Sequence, residues 1–97
     1  MANANAGKSE TVKKNTRQRG VEAWKVSNEV DAKDFPEFVR QVLFTGGMVR
    51  RVNGVIHISI TTHEGYRTAL DGDYIVYESA RDRLYIMSSV EFDNAYE

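Results

Sequence analysis

Cysteine is absent from this chain of 97 residues, and proline occurs once, at Pro36. The first absence excludes disulfide staples, zinc sites of the Cys type and thiol nucleophiles. No apolar run is long enough for a membrane span, although hydrophobic residues make up 41% of the chain, too many for a wholly disordered one. Gly-x-x-x-x-Gly-Lys, Gly-x-Gly-x-x-Gly and Gly-x-Ser-x-Gly are all missing, so no phosphate-binding loop or nucleophile elbow is encoded. A strong charge of either sign is missing too, with 13 Lys+Arg against 14 Asp+Glu.

That balance averages two unlike pieces. Residues 1–20 carry Lys8, Lys13, Lys14, Arg17 and Arg19 against Glu10 alone, a net +4, and residues 21–97 carry a net −5. Val12 is the only β-branched aliphatic in the first piece. Too little apolar surface is available there to offset the entropy of ordering, so residues 1–19 are read as a flexible basic arm. It lacks the apolar stretch of a secretory signal and the amphipathic face of an organelle transit peptide. Lys13, Lys14, Arg17 and Arg19 are the cations through which it would touch nucleic acid or an acidic partner, weakly and with strong salt dependence. A solvated tail is the plainer alternative.

Residues 20–97 form the second unit, one α+β domain. Val21 to Val26 reads as a strand with Glu22, Trp24 and Val26 on one face. A helix is predicted over 34–45. Asp34 and Glu37 suit a capping box, Pro36 suits the first turn, and Phe35, Phe38, Val39, Val42 and Leu43 recur at helical spacing. Gly46-Gly47 ends it. From Met48 the period becomes two. Met48–Val52 and Val55–Thr62 flank Asn53-Gly54, the residue pair a type I′ hairpin turn requires. Ile56, Ile58 and Ile60 share one face, and His57, Ser59 and Thr61 the other. Strands at 66–70, 74–77 and 83–87 follow as a meander, and Ser88 with Glu91 can cap a final helical turn. The expected architecture is one helix on a curled antiparallel sheet, β-α-β-β-β-β-β, with a short helical turn at the C-terminal end.

Catalytic readings fail on spacing. His57 and Ser59 lie two apart on a strand face, about 7 Å, too far for a nucleophile and its base. His57 and His63 do not make a metal site without further ligands. Asp71 and Asp73 flank Gly72 but lack the remaining ligands of a calcium loop, and read as a turn held by side-chain hydrogen bonds. Gly46-Gly47 follows a helix rather than opening one, so it offers no helix N-terminus to a phosphate. The chain is therefore read as non-enzymatic, with no cofactor and no metal.

Binding is the better prospect, because Tyr and Arg combine contact area, stacking and directional donors. The candidate set is Trp24, Arg50, Arg51, His57, Tyr66, Arg67, Tyr74 and Tyr85. With Ile75 and Leu84 toward the core, Tyr74 and Tyr85 would lie across the other face, where a base could stack. The alternative is that strands favour tyrosine and that arginines guard edges.

Several pieces recur in a known order: Arg17-Gln18-Arg19-Gly20-Val21-Glu22-Ala23-Trp24, Thr62-His63-Glu64-Gly65, Gly72-Asp73-Tyr74-Ile75-Val76, Tyr85 and Phe92-Asp93-Asn94-Ala95-Tyr96-Glu97. In this the chain resembles a widespread family of small, mostly uncharacterised phage and prophage proteins, over residues 17–97. It departs where they often carry Tyr-Pro-Cys, having Tyr85-Ile86-Met87. The resemblance implies a phage accessory protein working in the cytoplasm of a bacterial host. Taken with the small size, the acidic body and the absence of catalytic constellations, the chain is read as binding and modulating a host protein or a small nucleotide-like ligand. Antagonism of a defence system is one form this could take. A nucleic-acid- or virion-associated module tethered by its arm is the alternative. No membrane partner is expected, and a sheet edge could pair with a second copy.

Overall fold

A computed structural model describes residues 20–96 and, as backbone, 11–14. In chain order its elements are β1 (Thr11–Lys14), β2 (Val21–Lys25), a 3-10 turn (Ala32–Asp34), α1 (Glu37–Phe44), β3 (Met48–Val52), β4 (Val55–Thr62), β5 (Gly65–Ala69), β6 (Tyr74–Glu78), β7 (Arg83–Met87) and α2 (Ser89–Tyr96). The fold is α+β, and the body follows the expected element order. Strand β1 falls inside the segment read as an arm and pairs antiparallel with β2, Thr11 opposite Trp24 and Lys14 opposite Val21. Arg17, Arg19 and the rest of that arm lie outside the described residues.

The meander expected on one curled sheet is instead divided between two antiparallel sheets, ordered β1-β2-β6-β7 and β3-β4-β5. The turn after β5 explains the division. Val26 N–H donates to Asp73 O at 2.8 Å, and Gly72 N–H donates to Val26 O at 2.8 Å. These bonds seat the 70–73 turn on the end of β2, so β6 zips onto β2 (Ala23 opposite Val76) and not back onto β5. The sheets meet where His63 N–H donates to Leu84 O at 2.7 Å.

The β3-β4 hairpin forms as its sequence demands. Asn53 and Gly54 have φ of 53° and 81°, the left-handed pair of a type I′ turn. Helix α1 is shorter than expected. Proline disfavours helical geometry in the residue before it, and Phe35 is accordingly extended (φ −66°, ψ 138°), leaving Asp34 in the 3-10 turn and Pro36 as N-cap. The expected Asp34 cap is not made. Helix α2 is longer than a single turn, and its capping box closes: Glu91 N–H donates to Ser88 Oγ at 3.1 Å and Ser88 N–H to Glu91 Oε1 at 2.8 Å.

Two apolar clusters sit on opposite faces of the four-stranded sheet. Between the sheets, Trp24, Val26, Val30, Phe35, Val39, Ile56, Ile58, Ile60, Ala69 and Ile75 are buried together, with Phe38, Val42 and Leu43 of α1 against them. On the far face Val21, Ala23 and Val76 are covered by Phe92 of α2. The β2 segment thus buries Trp24 and Val26 in one core and Val21 and Ala23 in the other.

Candidate binding face

Antiparallel register decides which side chains share a face, because directly opposed residues point the same way. Val49 and Arg51 oppose Ile58 and Ile56, so they share the inner face of the three-stranded sheet. Met48 opposes Ser59, Arg50 opposes His57, and Val52 opposes Val55. On β5, Thr68 opposes Ser59 and Tyr66 opposes Thr61. These residues form the outer face, and neither apolar cluster lies on it. Its polar middle is internally satisfied, since the Ser59 and Thr68 hydroxyls hydrogen-bond at 2.8 Å. Around that middle, large side chains stand in solvent: Met48 is 50% exposed, Val52 44% and Tyr66 58%. Phe44, at the last position of α1 just before β3, is 92% exposed.

Of the candidate residues, the structure gathers Arg50, His57 and Tyr66 on this face and sends the others elsewhere. Trp24 is fully buried, its ring 5.1 Å from that of Phe35. Tyr74 does not line a free stacking surface. It lies flat on Phe92, ring centroids 4.0 Å apart and planes 6° apart, because α2 occupies the face it was expected to offer. Tyr85 is half-buried in the same cluster and meets His63 edge-on at 5.7 Å. Arg67 is exposed beside Glu64 at 3.8 Å, a contact worth little at a surface.

Arg51 is a structural clip. Its guanidinium donates to Asn28 O at 2.8 Å and to Val30 O, while the Asn28 side chain accepts from Ile56 N–H at 2.9 Å. Asn28 N–H in turn donates to Asp71 Oδ1 at 2.8 Å. Asp73 Oδ2 accepts from Leu70 N–H at 3.0 Å, so both aspartates hold backbone, as the turn reading required. Among the described residues no group of three His, Asp or Glu could hold a metal ion. Lys13 and Lys14 lie on β1, of which only the backbone is described.

Sequence reasoning missed Met48, Val52 and Val55 as surface residues, although the alternation of β4 carries the signal: Val55 shares the parity of His57 and Ser59. It also missed a charge pattern. Between Glu37 and Glu64 there is no Asp or Glu, yet Arg40, Arg50 and Arg51 fall there. An acidic body therefore carries a carboxylate-free cationic and apolar hairpin.

A shallow cleft of about 300 Å³ lies elsewhere, lined by Phe38, Gln41, Val42, Thr45, Tyr77 and Asp82. There Tyr77 donates to Asp82 Oδ1 at 2.8 Å. That hydrogen bond, before any other cause, raises the phenol's pKa above its ordinary value and keeps it protonated. No family model, curated protein or solved structure matches the chain. No helix among the described residues is long and apolar enough to cross a membrane.

Proposed function

We propose that the protein is a non-enzymatic phage accessory protein that binds and modulates a component of a bacterial host through the outer face of the β3-β4-β5 sheet. One observation carries this reading: Met48, Val52, Val55 and Tyr66 stand exposed around Arg50 and His57, while the other sheet has an apolar cluster on each face. Apolar and aromatic residues around an arginine are the composition of a recognition surface. The resemblance of the ordered sequence pieces to those of small phage proteins supports the accessory role. A host protein suits the face better than a nucleotide, because its polar hydroxyls already bond to one another and Tyr74 is stacked beneath α2.

The test is retention of host components from bacterial lysate on the immobilised protein, compared with a Val55→Ser, Tyr66→Ser double variant. Both residues are exposed, so the variant should fold unchanged. Wild type should retain a component that the variant loses. Retention of nothing, or equal retention by both, would refute the reading.

A further inference from the structure

From the edge of β3, unpaired among the described residues, we infer a more specific partner: an extended peptide segment bearing an acidic residue, added to the sheet as an antiparallel strand beside Met48–Val52. The inference rests on the binding-face reading and names the chemistry that face would take. Strand β3 is an end strand in the order β3-β4-β5. In a hairpin with a two-residue loop, the pair flanking the turn exchanges hydrogen bonds and the pairs alternate thereafter. Val52, Arg50 and Met48 therefore direct their backbone groups inward to β4. Val49 and Arg51 direct theirs to the open edge. That edge has neither proline nor bulge, the usual devices that blunt one.

Register then specifies the guest. A strand bonded to the backbone of Val49 and Arg51 places its central residue opposite Arg50 in a non-hydrogen-bonded pair, where side chains come closest. Its neighbours two residues away on either side fall opposite Met48 and Val52. The complementary pattern is apolar-x-acidic-x-apolar. Arg51 does not compete for the acid, because its guanidinium is held by Asn28 O and Val30 O. No carboxylate lies between Glu37 and Glu64 to neutralise Arg50 from within the hairpin segment. A second copy of β3 fits poorly, since pairing centred on this strand would oppose Arg50 with Arg50. Strand addition supplies affinity through main-chain bonds and specificity through alternate side chains.

The probe is the blocked peptide Thr-Val-Thr-Glu-Thr-Val-Thr, titrated against the full chain by fluorescence anisotropy and by amide chemical shifts. Three controls accompany it: Lys in place of Glu, N-methylation of the residues on either side of Glu, and the protein variants R50E and R50K. The Glu peptide should bind about tenfold more tightly than the Lys peptide, the swing expected from exchanging an attractive for a repulsive cross-strand pair. R50E should invert that preference and R50K should keep it. N-methylation should abolish binding, and the perturbed amides should centre on Val49 and Arg51. Equal affinity for the Glu and Lys peptides, indifference to N-methylation, or no binding would overturn the inference. So would a concentration-dependent dimer that protects the Val49 and Arg51 amides, which would make a second copy the occupant. If the Val55→Ser, Tyr66→Ser variant loses host retention while R50E does not and the peptide fails, strand addition falls and the binding face stands.

Discussion

Replacing Phe92 with alanine tests whether α2 is part of one cooperative core or a detachable cover. The ring is buried, lies 4.0 Å from the parallel ring of Tyr74 and 5.1 Å from that of Tyr96, and closes the cluster of Val21, Ala23 and Val76. Truncating a buried phenylalanine to alanine costs about 3–5 kcal/mol. At roughly 0.05–0.15 kcal/mol per residue, a body of this size has about 4–12 kcal/mol in total, so a quarter or more would go. With a urea slope near 1 kcal/mol/M for a small domain, the unfolding midpoint should fall by about 3–5 M. Trp24 is the only tryptophan and faces the other cluster, across the same sheet. Its fluorescence therefore reports on the core that Phe92 does not touch. Phe92→Leu, which keeps most of the volume, should cost less than about 1.5 kcal/mol. A Trp24 transition that stays at the wild-type midpoint in Phe92→Ala would refute the reasoning, since α2 would then unfold on its own.

Three other perturbations bear on different parts of the fold. A Cβ at Gly47 would sit 2.9 Å from Leu43 Cα and 3.0 Å from Ser59 O, both backbone atoms, so Gly47→Ala should lose about 1–3 kcal/mol in urea unfolding. Arg51→Ala leaves Asn28 O and Val30 O without their charged donor; a loss of about 1.5–3 kcal/mol and faster hydrogen exchange at the Ile56 amide are expected. Burial first, and then the charge of Glu78, raise the pKa of Tyr96 above the ordinary 10.0. The folded state thus holds that proton more tightly than the unfolded chain does. The resulting stabilisation is complete below the ordinary tyrosine pKa and is lost as pH rises through the folded value. An alkaline absorbance titration should show two late-ionising tyrosines, Tyr77 and Tyr96, of which one is lost in Tyr96→Phe.

Local signals carried far along this chain because their physics is local. Asn53-Gly54 can satisfy two left-handed positions, the alternation of Ile56, Ile58 and Ile60 has one buried face available, and Ser88 with Glu91 closes its own cap within one turn. Pro36 was a local signal too, but its strongest effect fell on Phe35 and shortened α1. The site was less legible. Tyr74 and Tyr85 have the spacing of an open stacking face, and the spacing is right; what covers that face is Phe92, some eighteen residues beyond Tyr74 in the chain. Arg51 reads like Arg50 until Asn28 and Val30, more than twenty residues earlier, take its guanidinium.

By itself, then, the sequence determined the elements of residues 20–97, their order and the face on which each strand carries its apolar residues, since those depend on neighbours within a few positions, whereas β1 was read as part of the arm. Tertiary structure alone decided that the strands divide into two sheets, because the bonds between Val26 and the 72–73 turn join segments some 46 residues apart. It also decided which polar and aromatic residues remain free to meet a partner. Composition records that the chain has arginines and tyrosines, but only packing shows that Arg50, His57 and Tyr66 are left outside while Arg51, Tyr74 and Trp24 are used to hold the fold.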